Sequence, residues 1–255
     1  MARPQHSAIP ADLQRPPNID RGQRASDQVY AWLRRAILSL ELPPGSPISE
    51  IDLAAVAAVS RTPVREAVKR LEQERLVVTF PSLGSFVSKI NLQEIEESIV
   101  LRALLEGEAA ARGALLPDET LSARLARIVE QHERASDDRN LPAIYEADES
   151  FHRCLFAGTR LQLMWRSVRL ARTSMQRLRA ITTQVEDNRR RSLRSHQAIT
   201  HAIGRHDAEE ARALMSDHVK LNWTFLDRIP ADKQSFIDAA NADLALAPEL
   251  AEQLN

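Results

Sequence analysis

Asp148 and His152 stand four apart in Asp-Glu-Ser-Phe-His, so on a helix a carboxylate and an imidazole project from one face. That spacing suits two neighbouring ligands of one metal ion, although a chain with 15 aspartates and seven histidines forms one such pair readily. Two further histidines sit in apolar stripes. His196 aligns with Leu193, Ile199 and Ile203, and His218 with Ala211, Leu214, Met215 and Leu221. A lone inward histidine is usually a satisfied core residue. Two of them beside an Asp-x-x-x-His helix shift the balance toward a divalent ion held by three imidazoles and one carboxylate. Such a borderline-hard set suits zinc first, with nickel or manganese also accepted. A second constellation lies upstream. Arg61 and Arg65 share a helical face, and guanidinium forks can hydrogen-bond guanine or clamp phosphate.

The elements that must carry these groups are helices. The 255 residues include only seven glycines and 4% aromatics, with 44% hydrophobic and 27% charged residues. That composition favours helix over sheet and allows one or two domains. Residues 1–25 hold Pro4, Pro10, Pro16 and Pro17 without an apolar period, which predicts a flexible arm. Val29, Trp32, Leu33, Ala36, Ile37 and Leu40 then mark one helix face, stopped by Pro43-Pro44-Gly45. A short helix fits Ser49 to Ala58. A third runs from Thr62 to Arg75, with Pro63 in its first turn. The period changes over 76–80 and 85–88, which read as two strands joined by a turn containing Gly84.

From residue 91 onward the pattern is helical. Helices are expected over 92–115, 118–137, 141–157, 161–184, 188–205 and 207–228, with residues 231–255 as a tail. The fold class is therefore mainly α. A winged helix-turn-helix over 26–90 precedes an antiparallel all-α bundle over 91–230. In such a module the third helix offers its N-terminal residues to the major groove, and the hairpin lies near the backbone or minor groove. Ser60 and Thr62 at the helix start suit phosphate, and Lys69 continues the Arg61/Arg65 face. The bland alternative is a solvated amphipathic helix with ordinary surface arginines.

These segments resemble a known family. SRTPVREAVKRLEQERLV at 60–77, LPPGSPISEIDLA at 42–54 and LGSFV at 83–87 are similar to the DNA-binding domain of the GntR regulators. The resemblance implies operator contacts from Arg61, Thr62 and Arg65, with Gly84 at the wing tip. The family often has glycine where this chain has Leu40, Ala58 and Arg75, and a basic residue where it has Leu83. FHRCL at 151–155 and HQAITHAIGRHDAEEARALMSDHV at 196–219 resemble the helical FCD domain of the FadR branch, in its six-helix, VanR-like form. That domain uses Asp, His, His and His in order, which falls here on Asp148, His152, His196 and His218. Ser195 and Arg160-Leu161 depart from the family pattern without removing a ligand. The likeness also implies a small carboxylate effector facing Arg102, against the plain alternative of an Arg102–Glu106 ion pair. His201 is expected beside the same pocket.

Net charge is -1, which alone argues against nucleic acid, but residues 1–90 carry 12 Lys+Arg against 9 Asp+Glu. A mildly basic reader joined to an acidic bundle accounts for the neutral total. The single cysteine, Cys154, excludes an internal disulfide framework and reads as a core residue. No apolar run approaches a membrane span and no secretory h-region opens the chain, so the expected location is cytoplasmic. His6, His132 and His206 read as exposed, Trp165 and Trp223 as packing anchors, and the Arg189–Arg191 and Arg194 run as a solvated or interdomain face.

The expectation is a ligand-responsive regulator, first of all a repressor. It would act as a homodimer on operator DNA and hold a divalent metal and a small organic acid. The rival is a metal-dependent enzyme using the Asp/His₃ set. It lacks a ligand pair with an adjoining general base, since Glu149 is rotated about 100° from Asp148 on a helix. A third reading makes the set purely structural.

Overall fold

Apolar residues at three- and four-residue steps fold the first part of the chain around one core. The computed structural model describes Leu13 and residues 18–116, 119–182, 186–221 and 229–238. Two compact units result, Gln93–Pro230 and a second made of the chain up to Leu92 together with the segment from Ala231.

In the first unit, α1 (Ala25–Leu38) buries Val29, Trp32, Leu33, Ala36 and Ile37. After β1 (Pro47–Ile48), α2 (Glu50–Val56) is capped by Ser49, whose side chain accepts from the Asp52 amide. Helix α3 (Arg61–Gln73) turns Val64, Ala67, Val68 and Leu71 inward. The hairpin is β2 (Val77–Phe80) and β3 (Gly84–Val87), paired with Phe80 opposite Gly84. β1 adds to the far side of β3, giving the order β1-β3-β2. That third strand escaped the sequence reading, because two residues show no period. Pro47 fits there because an edge strand tolerates a missing N–H. Gly84 has φ 105°, a conformation that disfavours other residues at this turn. Leu13, within the expected arm, is buried in the same core.

Helix ends in this glycine-poor chain close without glycine. Ala58 and Arg75 follow α2 and α3 with φ 52° and 56°. The amides of Val59 and Leu76 bond back to the carbonyls of Ala54 and Leu71, the Schellman pattern. Leu40 has φ 66° after α1, and Arg139, Arg160 and His206 repeat the left-handed turn in the second unit.

That second unit is six successive helices: α4 (Leu92–Ala114), α5 (Thr120–Asp137), α6 (Leu141–Gly158), α7 (Gln162–Thr182), α8 (Glu186–Gly204) and α9 (Ala208–Lys220). The polar clusters expected to break helices do so as caps. Asn140 accepts from the Ala143 amide and Asp207 from the Glu210 amide. Helix α5 packs on α6 and α8, and α8 on α9. Gly107 lets α4 approach α9, since a Cβ there would lie 2.7 Å from Ser216 Oγ. The Ser216 hydroxyl donates to the Ala103 carbonyl at 3.1 Å. No helix among the described residues is long and apolar enough to cross a membrane.

Past the bundle the chain returns to the first unit. A 3-10 turn spans Ala231–Phe236, and Ile237 bridges in parallel to Ile90. The Ile90 amide donates to the Phe236 carbonyl, and the Asp238 amide donates to the Ile90 carbonyl, each at 2.9 Å. The tail thus begins as a docked segment, and the residues beyond Asp238 lie outside the described set.

Candidate metal centre and nucleic-acid interface

Helix α6 brings Asp148 and His152 to its buried face, between Ile144, Phe151 and Leu155. Helix α8 buries His196 above Ile199 and Ile203, and α9 buries His218 beside Met215 and Val219. One donor atom from each of these four residues lies within 4.8 Å of all the others. His196 Nε2 is 3.2 Å from His218 Nε2 and 3.8 Å from Asp148 Oδ1. His152 Nε2 is 3.4 Å from His218 Nε2 and 4.0 Å from Asp148 Oδ1. Three Nε2 atoms and one carboxylate oxygen therefore converge. The Phe151 ring stacks on His196 at 4.0 Å between centroids and fixes its plane.

The ionisation states suit ligation. Burial pushes His196 and His218 well below the ordinary imidazole range, and neighbouring histidines add to the effect. Burial also lowers His152, against the pull of Glu106. For Asp148 burial acts upward, but the guanidinium groups of Arg179 and Arg172 outweigh it and hold the carboxyl well below its usual range. Both bond to Oδ2, at 2.6 Å and 2.5 Å, leaving Oδ1 toward the histidines. Neutral imidazoles and an ionised carboxylate are the forms a metal requires.

A polar layer supports the cluster, and the sequence reading missed much of it. Glu106 on α4 reaches His152 Nδ1 through Oε2, while its Oε1 accepts from Arg102 Nε at 2.6 Å. Burial would raise the Glu106 carboxyl, but Arg102 and His152 reverse this and keep it ionised. Arg102 is 2% exposed and so borders the interior as expected, but its Nε is taken by Glu106 and its NH1 meets Met175 Sδ at 3.2 Å. The ion pair exists whatever else Arg102 does. Arg172 and Arg179 stand seven apart around Met175, and that spacing with the apolar face of α7 was the available signal.

Two expectations, for His132 and Leu13, need correction, and His201 lies apart from the metal cluster. His132, read as exposed, is 1% exposed and its Nδ1 lies 3.2 Å from His196 Nδ1. It continues the α5 stripe of Leu125 and Val129, which its sequence spacing already contained. His201 is on the exposed face of α8, five residues from His196 and therefore about 140° around the helix, so it does not join the buried cluster. Leu13, placed in a free arm, is a core residue. Cys154 is buried and burial raises its thiol, in keeping with a packing role. Trp165 packs on Phe156, His206 is exposed, and Arg190 and Arg194 are exposed. His6, Trp223 and the side chain of Arg189 lie outside the described residues.

On the first unit, Ser60, Arg61, Thr62 and Arg65 are exposed at the N-terminal end of α3, and Lys69 is exposed one turn further along, away from the buried face. Ser60 precedes the helix with no side-chain cap bond. Glu50, at the start of α2, accepts from Arg65 Nε at 3.2 Å and lies 3.6 Å from Arg61 NH2. Gly84 is exposed where β3 begins.

Residues 25–87 match the bacterial regulatory proteins of the gntR family, and residues 97–221 match the FCD domain. An uncharacterized HTH-type transcriptional regulator in an unstable DNA locus of Streptomyces ambofaciens is 32% identical over 211 residues, covering 82% of this chain and 88% of that protein. The HTH-type transcriptional repressor RspR of Escherichia coli K12 is 28% identical, covering 78% and 87%. Two solved structures, a GntR transcriptional regulator from Rhodococcus sp. RHA1 and E. coli McbR/YncC, each give a TM-score of 0.69. Their identities are 22% and 19%, over 80% of this chain and 99% and 97% of theirs, and they support the fold alone.

Proposed function

The chain belongs to the gntR family of bacterial regulatory proteins and carries an FCD domain; from that premise we propose a metal-containing, acid-responsive repressor that acts as a homodimer. It is a transcriptional regulator and not an enzyme, as its relatives are. The convergence of four buried donor atoms carries the metal reading. Asp148 Oδ1 and the Nε2 atoms of His152, His196 and His218 would hold a divalent ion, zinc first, with nickel or manganese also fitting the donor set. A bound ion supplies an electrophilic point for a carboxylate oxygen. The chain's own part is to keep three imidazoles neutral, to pin Asp148 Oδ2 with two arginines and to exclude water.

The effector reading rests on Arg102, with His201 as a further lining residue from the exposed face of α8. A small carboxylate meeting Arg102 shares that guanidinium with Glu106 rather than finding it idle. To switch the protein, the acid must bind one conformation better than another. The name of RspR supports repression as the direction.

Operator contact rests on Arg61 and Arg65, aided by Ser60, Thr62 and Lys69 and by the wing at Gly84. Exposed apolar residues support the homodimer. Leu104 on α4 is 68% exposed, next to Val100 and Leu101, and Leu163 and Leu170 are exposed on α7. A dimer supplies two recognition helices for two half-sites.

The test combines metal analysis with operator binding. Protein purified without chelator should retain one divalent ion per chain by native mass spectrometry. Arg65→Ala should weaken operator binding by about 1–3 kcal/mol if it reads one guanine through both nitrogens. A protein that takes up none of the three metals refutes the centre, and unchanged operator affinity refutes the Arg65 assignment.

A further inference from the structure

His132 lies outside the four converging donors, behind His196. Helix α5 packs on α6 and α8 and carries His132 inward with Leu125 and Val129. The two Nδ1 atoms of His132 and His196 are 3.2 Å apart, while His196 Nε2 faces His218 and Asp148. A contact between two ring nitrogens holds one proton, with one ring donating and the other accepting. A histidine that offers the Nε2 lone pair to an ion carries its proton on Nδ1. His196 must then donate, and His132 must accept.

We propose that His132 is a positioning residue of the metal centre, the acceptor that fixes the tautomer and edge orientation of His196. The inference rests on the metal reading above. Phe151 stacked on His196 sets the plane of that ring, but a stacked ring can still rotate within its plane or exchange its proton between nitrogens. His132 removes that freedom. Its own proton then sits on Nε2, which is buried and has no hydrogen-bond partner among the described residues. An apolar side chain would fill the same space without that unpaired group. The imidazole is accounted for by what its other nitrogen does. Glu106 at His152 Nδ1 and the two arginines at Asp148 Oδ2 play the matching part for other ligands. Groups of this kind, behind the ligands, typically change metal affinity by about 10–100-fold when removed.

The test uses the full chain, stripped of metal and titrated with Co²⁺ against a competing chelator. His132→Asn and His132→Leu have nearly the same shape, but only Asn offers an acceptor where Nδ1 stood. His132→Leu should weaken Co²⁺ binding by about 10–100-fold and shift the visible ligand-field bands. His132→Asn should restore both to within a few-fold of the parent chain. If the Leu variant fails to fold, His132→Phe replaces it as the form without an acceptor. Equal affinity in all forms, or equal loss in Asn and Leu, overturns the positioning role. A parent chain that binds no Co²⁺ overturns the metal reading itself, a distinct outcome.

Discussion

Glu50→Gln should make the protein bind DNA more tightly, whatever the sequence. Glu50 Oε2 sits 3.2 Å from Arg65 Nε and 3.6 Å from Arg61 NH2, the two guanidinium groups proposed above to read the operator. Their side chains are 67% and 58% exposed, and that of Glu50 is 24% exposed. Each contact is therefore a solvent-screened pair worth about 0.2–1 kcal/mol. A phosphate or guanine that takes both arginines must displace the carboxylate or accept its charge nearby. Removing that charge returns about 0.4–2 kcal/mol, or about 2- to 30-fold in affinity for each recognition helix. The gain applies to any sequence, because phosphate is common to all DNA. Fluorescence anisotropy with an operator duplex and a random duplex, at matched salt, measures both. Both duplexes should gain by a similar factor, so the ratio between the two should hold. Glu50 also stands in the first turn of α2, where a negative charge stabilises the helix by about 0.3–1 kcal/mol, so a slightly lower melting temperature is expected. Random-sequence affinity that stays constant or drops would refute the reasoning and would mean that Glu50 aims the arginines rather than competing for them.

Three further outcomes follow from the same geometry. Ala58→Gly combined with Arg75→Gly should stabilise the first unit. Left-handed backbone costs a non-glycine residue about 1–2 kcal/mol. The added freedom of glycine in the unfolded chain takes back about 0.4–1 kcal/mol per site, leaving roughly 0.5–1 kcal/mol each. Hydrogen exchange of α1 amides should slow, and faster exchange would contradict the strain argument. Next, the metal-free bundle should lose stability in mild acid. Burial holds His132, His152, His196 and His218 below their unfolded values, so the unfolded chain takes up protons first as pH falls. Stability is full above about pH 6.5 and declines below it, by at most about 1.4 kcal/mol per pH unit for each ring. A urea midpoint equal at pH 8 and pH 5.5 in chelator would exclude it. Last, Leu104→Asp should yield monomers in sedimentation while leaving the helical circular dichroism intact, and an unchanged dimer would place the interface elsewhere.

What could be read from the residues alone was whatever a single helix displays on its own face. The stripe of Val64, Ala67, Val68 and Leu71 gave the orientation of Arg61 and Arg65, and apolar neighbours gave that of His196 and His218. Helix ends were legible where a cap was polar, as at Asn140 and Asp207. Groups whose meaning depends on another helix were hidden. Glu106 looks like a surface partner of Arg102 until α6 sets His152 against it. His132 has a buried spacing in its own helix, but only α8 gives it something to bond. β1 was hidden for a different reason, since two residues acquire strand geometry only from β3 beside them.

The bridge between Ile90 and Ile237 changes how the gene can be cut. The chain leaves the DNA-reading unit just after Ile90 and re-enters it just before Ile237, where backbone bonds of 2.9 Å join the two strands of the doorway. The helical bundle is thus a cassette spliced into its reader, not a domain strung after it. Both splice points stand side by side but run parallel, so a crossover segment that carries the chain back, and not a tight turn, would have to replace the cassette. Another bundle with adjacent ends could be grafted into the same opening. A chain simply stopped after Ile90 would lack the returning strand as well as the sensor, and so would lose part of the unit it was meant to isolate.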